Sequence, residues 1–477
     1  MAIMAQSDPS EAPAQLATTL GELRATDYRS RSVKEELRQN LITKLQHGEP
    51  LFEGIVGFEE SVLPQIENAI LSGQDVIFLG ERGQAKTRLA RSLPSLLDPW
   101  LPVVAGCEIN DDPLKPICWQ CRSLLAECAD ATPIGWLPRD RRYGEKLATP
   151  DITIADLIGE VDPIKVAEGR YLSDELTIHF GLLPRTHRGV FVINELPDLA
   201  ERIQVGLLNI MEERDVQIRG YKVRLPLDLF VVASANPEDY TNRGRIITPL
   251  KDRFGSQIRT HYPRTIEHEM HIMEQERGIF VDEEYETIVP AYMREIVAEV
   301  THLARKSPEI SQRSGVSVRV SVANYENLLS SALRRAIRLR ERQVAPRISD
   351  LIALVQSTGG KIELETVGDR DEEKVIEKLL QKAVLNVFNR HFALHEFDEL
   401  LANFDNGLKV EVGDSLLSLE YVRQAAEVSG FTPAIKKLGG QGNPAQIACA
   451  IELVLEGLHL NRKLNKDRAA GRMRYRS

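Results

Sequence analysis

One stretch of the sequence restricts the fold more than any other. Residues 75–93 read DVIFLGERGQAKTRLARSL: four apolar residues predict a buried strand, a glycine-containing loop follows, and a helical pattern begins at Lys86. Such a loop can place backbone N–H groups and a helix N-terminus around a phosphate group. An ordinary strand-to-helix turn is the alternative. The residues that we expect to line a nucleotide site are Gly80, Glu81, Arg82, Gly83, Gln84, Ala85, Lys86 and Thr87.

The end of this loop departs from the usual phosphate-loop pattern, because Ala85 stands where a glycine normally precedes the lysine. We expect alanine to be tolerated there if its φ stays negative. Lys86 would then reach the β- and γ-phosphates, and the Thr87 hydroxyl would bind Mg²⁺. The loop therefore predicts ATP and Mg²⁺ as cofactors.

A second apolar run, GVFVINELPDL at residues 189–199, predicts a buried strand that ends in polar residues. Nucleotide hydrolases usually carry an acidic pair at such a strand end, but this chain has Asn194 followed by Glu195. The Asn194 amide can accept a hydrogen bond from a Mg²⁺-bound water, but it brings no negative charge. Glu195 is the candidate for activating water. Asp198 could be a substitute acid, although its spacing from Glu201 favours a helix capping box.

A third apolar run, LFVVASAN, ends in Asn236, and the motif PLKDRFG follows it. The neutral Asn236 side chain is suited to hold a water molecule or a γ-phosphate oxygen between the other two sites. Arg253 lies in the second motif. Taken alone, Arg253 is as consistent with a surface ion pair as with a catalytic role.

The alternation of these strands with helices predicts an α/β fold with a mostly parallel sheet. The run VQIRGYKVRLP alternates around Arg219-Gly220 and predicts a β-hairpin insert. Helical patterns dominate beyond Pro263, with Pro346 as an expected helix stop, and two short alternating runs, KIELET and LKVEVGD, flank a long amphipathic segment. The domains that we predict are an N-terminal helical, partly disordered segment (1–48), an α/β nucleotide-binding domain (49–263) with a Cys-rich insertion at about 105–150, a helical lid (264–345) and a mainly helical C-terminal region with a basic tail (346–477).

Four motifs together resemble the AAA+ ATPases of the magnesium-chelatase subunit I and MoxR-like branch, over roughly residues 52–325. They are GERGQAKT, GLLPRTHRGVFVINELPDLAERIQVGLLNIMEERDVQIRG, VVASANPED and PLKDRFG. The resemblance implies a P-loop AAA+ core followed by a helical lid. It also implies a ring, usually of six subunits, with ATP at the interfaces.

The resemblance assigns roles to individual residues by motif. Glu195 would activate water, Asn236 resembles sensor 1, and Arg253 resembles the arginine finger that acts on the γ-phosphate bound by a neighbouring subunit. The run RSGVSVRVSVANYENL looks like the sensor 2 region, in which Arg319 is the best candidate to reach the phosphates and Arg313 is the runner-up. A guanidinium in these places would neutralise charge on the transferring phosphoryl group.

The implied function is to couple ATP binding and hydrolysis to the remodelling or activation of a separate partner protein. In this branch the partner often carries a von Willebrand factor A domain. Because Asn194 breaks the acidic pair, an ATP-gated scaffold or switch with little turnover is the alternative. A transcription-related regulator is a further alternative, but it would need a polymerase-contacting loop such as GAFTGA, which the sequence lacks.

Four of the five cysteines lie close together in GCEINDDPLKPICWQCRSLLAEC. The Cys118-x-x-Cys121 spacing is typical of zinc sites, and Cys107 and Cys128 could complete a set of four thiolates. We expect a structural Zn²⁺ site; buried thiols packed in an insertion are the alternative.

The net charge of −10 comes from 60 basic and 70 acidic residues, which argues against nucleic-acid binding by bulk electrostatics. The basic end, Arg462 to Arg476, leaves contact with nucleic acid or an acidic partner open, although a solvated helix end that continues into a flexible tail is favoured. No apolar run approaches the roughly 20 residues that span a membrane, and the start lacks a leader pattern. A cytoplasmic location is therefore expected.

Overall fold

The computed structural model describes residues 16–161, 178–213, 225–236, 244–278, 284–312, 315–365, 369–440, 442–469 and 472–477. The chain divides into two compact units, Met1–His261 and Tyr262–Ser477. The hairpin predicted around Arg219-Gly220 lies outside the described residues, as does Arg313. In the described part of the chain, no helix is long and apolar enough to cross a membrane.

The first unit alternates strands with helices, as the sequence predicts. Its strands are β1 Val76–Leu79, β2 Trp100–Val104, β3 Ile134–Pro138, β4 Tyr143–Leu147, β5 Gly159–Val161, β6 Ile178–Phe180, β7 Gly189–Asn194, β8 Leu229–Ala235 and β9 Ser256–Arg259. Its helices are α1 Leu20–Arg24, α2 Val33–His47, α3 Leu63–Leu71, α4 Lys86–Ser92, α5 Trp119–Cys128, α6 Ile154–Leu157, α7 Leu182–Arg185, α8 Glu201–Glu213 and α9 Thr248–Arg253.

A five-stranded sheet with the order β4-β7-β8-β1-β9 forms the centre of this unit, and every neighbouring pair is parallel. Strands β7 and β8 are buried along their whole length. Their side chains alternate between two hydrophobic cores: Val190 and Val192 face one, and Phe191 and Ile193 face the other. The sheet is therefore covered on both faces, which explains why these strands read as continuous apolar runs.

Helices from the N-terminal segment help to cover one of these faces. Helix α2 begins with a capping box between Ser32 and Glu35, and its apolar face joins the same core as β1. Within the layer, the Arg142 guanidinium forms a bidentate ion pair with Glu36, with N–O distances of 2.6 and 2.7 Å, and both side chains are buried. The pair fixes α2 to the segment that leads into β4.

The second unit is mainly helical. Its helices are α10 Ile266–Glu276, α11 Ala291–Ala304, α12 Val318–Leu339, α13 Leu354–Thr358, α14 Asp369–His391, α15 Asp398–Asp405, α16 Ser418–Glu427, α17 Phe431–Lys437 and α18 Pro444–Leu460. Its strands are β10 Glu286–Thr287, β11 Gln343–Val344, β12 Val410–Val412, β13 Asn465–Ala469 and β14 Arg472–Arg476. One hydrophobic core runs from Met273 to Tyr475. The predicted fold class, a parallel α/β core followed by a mainly helical region, is confirmed.

Two local expectations in this unit are wrong. The basic segment at the end of the chain is not a solvated helix end that continues into a flexible tail. Its last strand, β14, pairs antiparallel with both β12 and β13 and buries Tyr475. Helix α12 ends at Leu339, before Pro346, because Arg340 adopts the left-handed conformation that closes the helix. Of the two alternating runs, LKVEVGD contains β12, whereas the described part of KIELET, residues 361–365, has an isolated bridge at Leu364.

Candidate functional site

The predicted phosphate loop connects β1 to α4, as expected. Gly83 has a φ of +75° and Ala85 a φ of +56°, so both residues are left-handed. The condition that φ at Ala85 stays negative is therefore wrong. A left-handed alanine costs roughly 1 kcal/mol relative to its ordinary conformations. At residue 85 the loop thus has the left-handed backbone that a glycine would adopt without strain, and the alanine Cβ makes this conformation less favourable.

The start of the loop packs closely against the end of β9. A Cβ on Gly80 would lie 2.0 Å from the Thr260 hydroxyl oxygen and 2.3 Å from the Gln84 side-chain oxygen. The Gln84 oxygen accepts hydrogen bonds from the Thr260 hydroxyl, at 2.9 Å, and from the Glu81 backbone N–H, at 3.0 Å. Only glycine fits at residue 80, and Gln84 holds the loop in shape from inside rather than presenting its side chain to solvent.

Lys86 connects the loop to the third predicted strand. Its ammonium group donates to the Asn236 side-chain oxygen at 2.7 Å, to the Glu81 carbonyl at 2.8 Å and to the Gly80 carbonyl. Asn236 directly follows β8, which lies beside β1 in the sheet. The structure thus brings together two residues that are 150 positions apart in the chain. Thr87 is the second residue of α4.

Asn194 ends β7 and takes part in a polar network across three strands. Its side-chain N–H donates to Glu145 on β4 at 2.6 Å, and its side-chain oxygen accepts from the Ser234 hydroxyl on β8 at 3.1 Å. Ser234 also accepts a hydrogen bond from the Glu195 backbone N–H, at 3.2 Å. Asn194 is 7% exposed. A carboxylate therefore lies beside the amide, although the acidic residue comes from a neighbouring strand.

Glu145 was missed by the sequence reasoning, because YGEKL is short and only half apolar. Its carboxylate accepts two hydrogen bonds from the Arg91 guanidinium of α4, at 2.8 and 3.0 Å, and one from the Tyr143 hydroxyl, at 2.9 Å. Burial raises the pKa of Glu145, but the hydrogen bonds from Arg91 and Tyr143 outweigh it and hold the pKa below its ordinary value. Glu145 thus carries a negative charge at neutral pH and links the phosphate-loop helix to Asn194.

Glu195, the candidate for activating water, has an unusual backbone. It lies in the left-handed region, with φ +56° and ψ +45°, at the point where β7 gives way to a 3₁₀ turn. Strained conformations of non-glycine residues are typical of functional sites. The turn directs the chain away from the sheet immediately after Asn194, at the same carboxyl edge that carries Asn236 and the phosphate loop.

Asp198 is not the N-cap that the spacing with Glu201 predicts. It ends the 3₁₀ turn, and helix α8 begins at Glu201, after Ala200. The Ala200 carbonyl accepts hydrogen bonds from the backbone N–H groups of Ile203 and Gln204. Among the described residues, one Asp198 carboxylate oxygen is buried without a hydrogen-bond partner. The capping-box interpretation is therefore wrong.

The two remaining arginine candidates form no hydrogen bond with this network among the described residues. Arg253 is the last residue of α9, is exposed, and forms an ion pair with Glu212 of α8. Arg319 lies in the second unit, exposed on the first turn of α12, and its backbone N–H donates to the Ser317 hydroxyl at 3.1 Å. The roles assigned to both residues concern contacts with nucleotide and stay predictions.

The structure brings three of the four clustered cysteines together. Cys107, Cys118 and Cys121 form a group with the carboxylate of Asp111, in which the ligand atoms all lie within 4.8 Å of one another. Hydrogen bonds from the Cys118 and Cys121 thiols lower the pKa of Cys107. Cys128 lies at the other end of α5, outside the group. The predicted set of four thiolates is therefore wrong in its fourth member.

The main site thus consists of side chains at the carboxyl edge of one parallel sheet, where ligands of such sheets normally bind. A glycine-containing loop and a helix N-terminus can receive an anion, Lys86 can neutralise it, and Glu195 can accept a proton from water. The Thr87 hydroxyl is a suitable oxygen donor for Mg²⁺. Gly83, left-handed Ala85 and the start of α4 fit a bound phosphate group.

Comparisons with known proteins show which sequences this chain resembles. No family model matches the chain. It is 28% identical over 226 residues to magnesium-chelatase subunit ChlI of Euglena gracilis, which covers 44% of this chain and 58% of the relative. It is 25% identical over 205 residues to the magnesium-chelatase 67 kDa subunit of Heliobacterium mobile, which covers 42% of this chain and 29% of the relative. The matches thus span less than two thirds of these relatives.

The chain also matches two solved structures, a complex of the magnesium-chelatase subunits BchI and BchD and NtrX from Brucella abortus. The first is 20% identical, covers 68% of this chain and 97% of the other, and has a TM-score of 0.35. The second is 16% identical, covers 73% of this chain and 66% of the other, and has a TM-score of 0.37.

Proposed function

Because the chain belongs to the AAA+ ATPases of the magnesium-chelatase subunit I and MoxR-like branch, we propose that it hydrolyses ATP to remodel or activate a separate protein. The observation that carries the proposal is the contact between Lys86 and Asn236, at 2.7 Å. It joins the phosphate loop to the end of the strand that lies between β1 and β7. A nucleotide held by the loop would meet Glu195 and Asn236 at the same edge of the sheet.

In the proposed reaction the oxygen of a water molecule attacks the γ-phosphorus of ATP. Glu195 accepts the proton that this water loses, and the bond between the γ-phosphorus and the bridging oxygen breaks, which yields ADP and inorganic phosphate. Lys86 binds the β- and γ-phosphates, and Asn236 orients the water or a γ-phosphate oxygen. Mg²⁺ bound through Thr87 would neutralise negative charge on the phosphates.

The ring and the partner are finer parts of the same proposal. Arg253, exposed at the end of α9, would act on the γ-phosphate bound by a neighbouring subunit, so that turnover requires assembly. Arg319 would contact the phosphates of its own subunit. The partner would be a separate protein, and a von Willebrand factor A domain is the candidate that the resemblance provides. A cytoplasmic location and the predicted domain boundaries also stay predictions.

One observation favours a second candidate, an ATP-gated switch with little turnover. Both polar ends of the Asn194 amide are engaged within the protein, by Glu145 and by Ser234. The Asn194 oxygen already accepts from Ser234, so one of its two lone pairs is left for a Mg²⁺-bound water, and the contacts on both sides restrict how the amide can turn. If the network stays intact when nucleotide binds, hydrolysis would be slow.

Steady-state ATP hydrolysis, measured against protein concentration, tests the proposal. We expect turnover per chain to rise with concentration as subunits assemble, and Lys86→Ala, Glu195→Gln and Arg253→Ala to abolish it. Arg24→Ala is the matched control for Arg253→Ala, because Arg24 is also an exposed arginine in an ion pair. If the assembled wild-type protein binds ATP but hydrolyses it no faster than Glu195→Gln, the result would favour the ATP-gated switch over the hydrolase. Absence of ATP binding would overturn both candidates.

A mixing experiment tests the action of Arg253 on a neighbour. Lys86→Ala subunits keep the arginine and lack the lysine, whereas Arg253→Ala subunits keep the phosphate loop. In a random equal mixture, about a quarter of the interfaces combine an intact loop with an intact arginine from the neighbour. Recovery of about that fraction of wild-type turnover supports action across the interface, and no recovery contradicts it.

A further inference from the structure

A cluster of potential metal ligands, three of them buried and one partly buried, lies between β2 and α5, separate from the phosphate loop. It consists of the thiols of Cys107, Cys118 and Cys121 and the carboxylate of Asp111, and we name it the Cys107 cluster. The four ligand atoms lie within 4.8 Å of one another. In a tetrahedral zinc site with Zn–S bonds of about 2.3 Å, neighbouring sulfur atoms are about 3.8 Å apart. Contraction by about 1 Å or less would therefore give the spacing of a zinc site.

We propose that the Cys107 cluster binds one Zn²⁺ ion, with three thiolates and one carboxylate oxygen as ligands. Soft thiolate ligands select zinc over the hard cations Mg²⁺ and Ca²⁺, which prefer oxygen. Four protein ligands leave no open position for a substrate, so the site is structural. It differs from the set of four cysteines that spacing alone predicts, because Asp111 takes the place of Cys128.

The backbone around the cluster is arranged to stabilise negative ligands. The Asp111 carboxylate accepts hydrogen bonds of 2.9 Å from the backbone N–H groups of Asp112, Ile117 and Cys118. The Cys121 N–H donates to the Cys118 sulfur at 3.3 Å. Three thiolates, one carboxylate and Zn²⁺ together carry a net charge of −2, and such donors lower the cost of burying it. Asp111 also fixes the loop that presents Cys118.

Other interpretations of the cluster fit these observations less well. A redox-active Cys-x-x-Cys pair needs an accessible thiolate, but Cys118 is 6% and Cys121 1% exposed. All five cysteines are free thiols, so none is held by a disulfide. Thiols that merely fill an apolar core do not account for a fully buried Asp111 carboxyl oxygen within 4.8 Å of all three sulfur atoms.

The position of the ligands shows what a zinc ion would do. Cys107 follows β2 closely, and Cys118 is the N-cap residue of α5. The loop between them, EINDDPLKPI, packs on the hydrophobic cores through Ile109, Leu114 and Ile117. One ion would fix the end of β2 to the start of α5 in addition to this packing. The bound metal would stabilise the first unit in the way that zinc stabilises other small structural sites.

The zinc content of the full chain tests this proposal. After removal of any histidine tag, and without chelators during purification, elemental analysis is expected to give about one zinc per chain. Cys118→Ser and Cys121→Ser are expected to lose it, and Cys128→Ser and Cys449→Ser, as matched controls, to keep it. Less than about a fifth of an equivalent in the wild type after incubation with zinc and desalting would overturn the proposal. Equal losses in Cys128→Ser and Cys118→Ser would overturn the ligand set.

A second measurement uses the wild-type chain and does not depend on the folding of a variant. Zinc is removed with a chelator and replaced with Co²⁺, whose spectrum reports on its ligands. We expect a thiolate-to-cobalt charge-transfer band together with the visible bands of tetrahedral Co²⁺. A weak octahedral spectrum without charge transfer would mean that the thiols do not bind the metal, and would overturn the proposal.

Discussion

Replacement of Asn194 by aspartate, which restores the usual acidic pair, is expected to destabilise this protein. The Asn194 amide donates to Glu145 at 2.6 Å, and an aspartate of the same shape would put a second carboxylate at that distance. With charge centres about 4 Å apart and an effective dielectric constant of 20, the repulsion is about 4 kcal/mol. Arg91 offsets part of it, but its side chain is 63% exposed and therefore screened. We expect Asn194→Asp to lower the free energy of unfolding by about 2–3 kcal/mol at pH 8.

The pH dependence of this loss follows from the repulsion. In the folded state the repulsion would raise the pKa of one of the two carboxyl groups above its ordinary value. A group with a raised folded pKa contributes stability below its unfolded pKa and loses that contribution as the pH rises through the folded value. The loss of stability in Asn194→Asp should therefore be full at pH 8 and smaller at pH 5.

The double variant Asn194→Asp/Glu145→Gln is the decisive control. It exchanges the amide and the acid between the two strands, so the hydrogen bond can form again with its direction reversed. We expect a coupling free energy of about 2 kcal/mol between the two substitutions. All three tryptophans, Trp100, Trp119 and Trp136, lie in the first unit, so their fluorescence during urea unfolding reports on that unit. Wild-type stability in Asn194→Asp at pH 8, or additive losses in the double variant, would refute the reasoning.

Three further predictions use the same tryptophan signal. Ala85→Gly should be at least as stable as the wild type, and a β-branched Ala85→Val should lose about 1–2 kcal/mol, because residue 85 is left-handed; equal stability of the three proteins would contradict this. Burial and the nearby Arg188 lower the pKa of His187 to about 3. The free energy of unfolding of the first unit should therefore fall by up to about 2 kcal/mol between pH 6.5 and 5, because the histidine takes up a proton in the unfolded chain only. In His187→Gln the fall over the same pH range should be smaller. Glu36→Gln should lower the free energy of unfolding by about 3–5 kcal/mol, because it leaves the buried Arg142 without a counter-charge. Glu36→Leu/Arg142→Met removes both charges and should lower it less. An equal loss in both variants would argue against an unpaired charge as the cause.

The parts of the fold that the sequence predicted are those whose determinants are local. Strands β1, β7 and β8 are buried on both faces, so each appears as a continuous apolar run followed by a turn or a polar residue. The long helices of the second unit show the same local signal in their amphipathic pattern. The phosphate loop was also predictable, because glycine, lysine and threonine follow one another in a fixed order between a strand and a helix.

The parts that were missed depend on partners far along the chain. Strand β14 carries three arginines and looks like a solvated tail, but Arg474 pairs with Glu411 of β12 and Arg476 with Asp467 of β13. These acids neutralise the strand and let Tyr475 enter the core. Asp111 in the Cys107 cluster is a similar case, because nothing in its own neighbourhood distinguishes it from the adjacent Asp112. Pairings of this kind are set by register and packing, which a single sequence does not contain.

The polar network at Asn194 shows how such a pairing changes a functional interpretation. From the sequence, an amide at this position indicates a lost charge and a weakened hydrolase. The register of β4 against β7 puts Glu145 within hydrogen-bond distance of that amide. The sheet edge therefore keeps one carboxylate beside Asn194, and this carboxylate is paired with Arg91 of the phosphate-loop helix. An aspartate at residue 194 would then destabilise the fold, because its carboxylate would lie next to that of Glu145. The amide is therefore matched to its neighbour, and the turnover of the Asn194→Asp/Glu145→Gln variant, compared with the wild type, would show how far the strand that carries the acid affects hydrolysis.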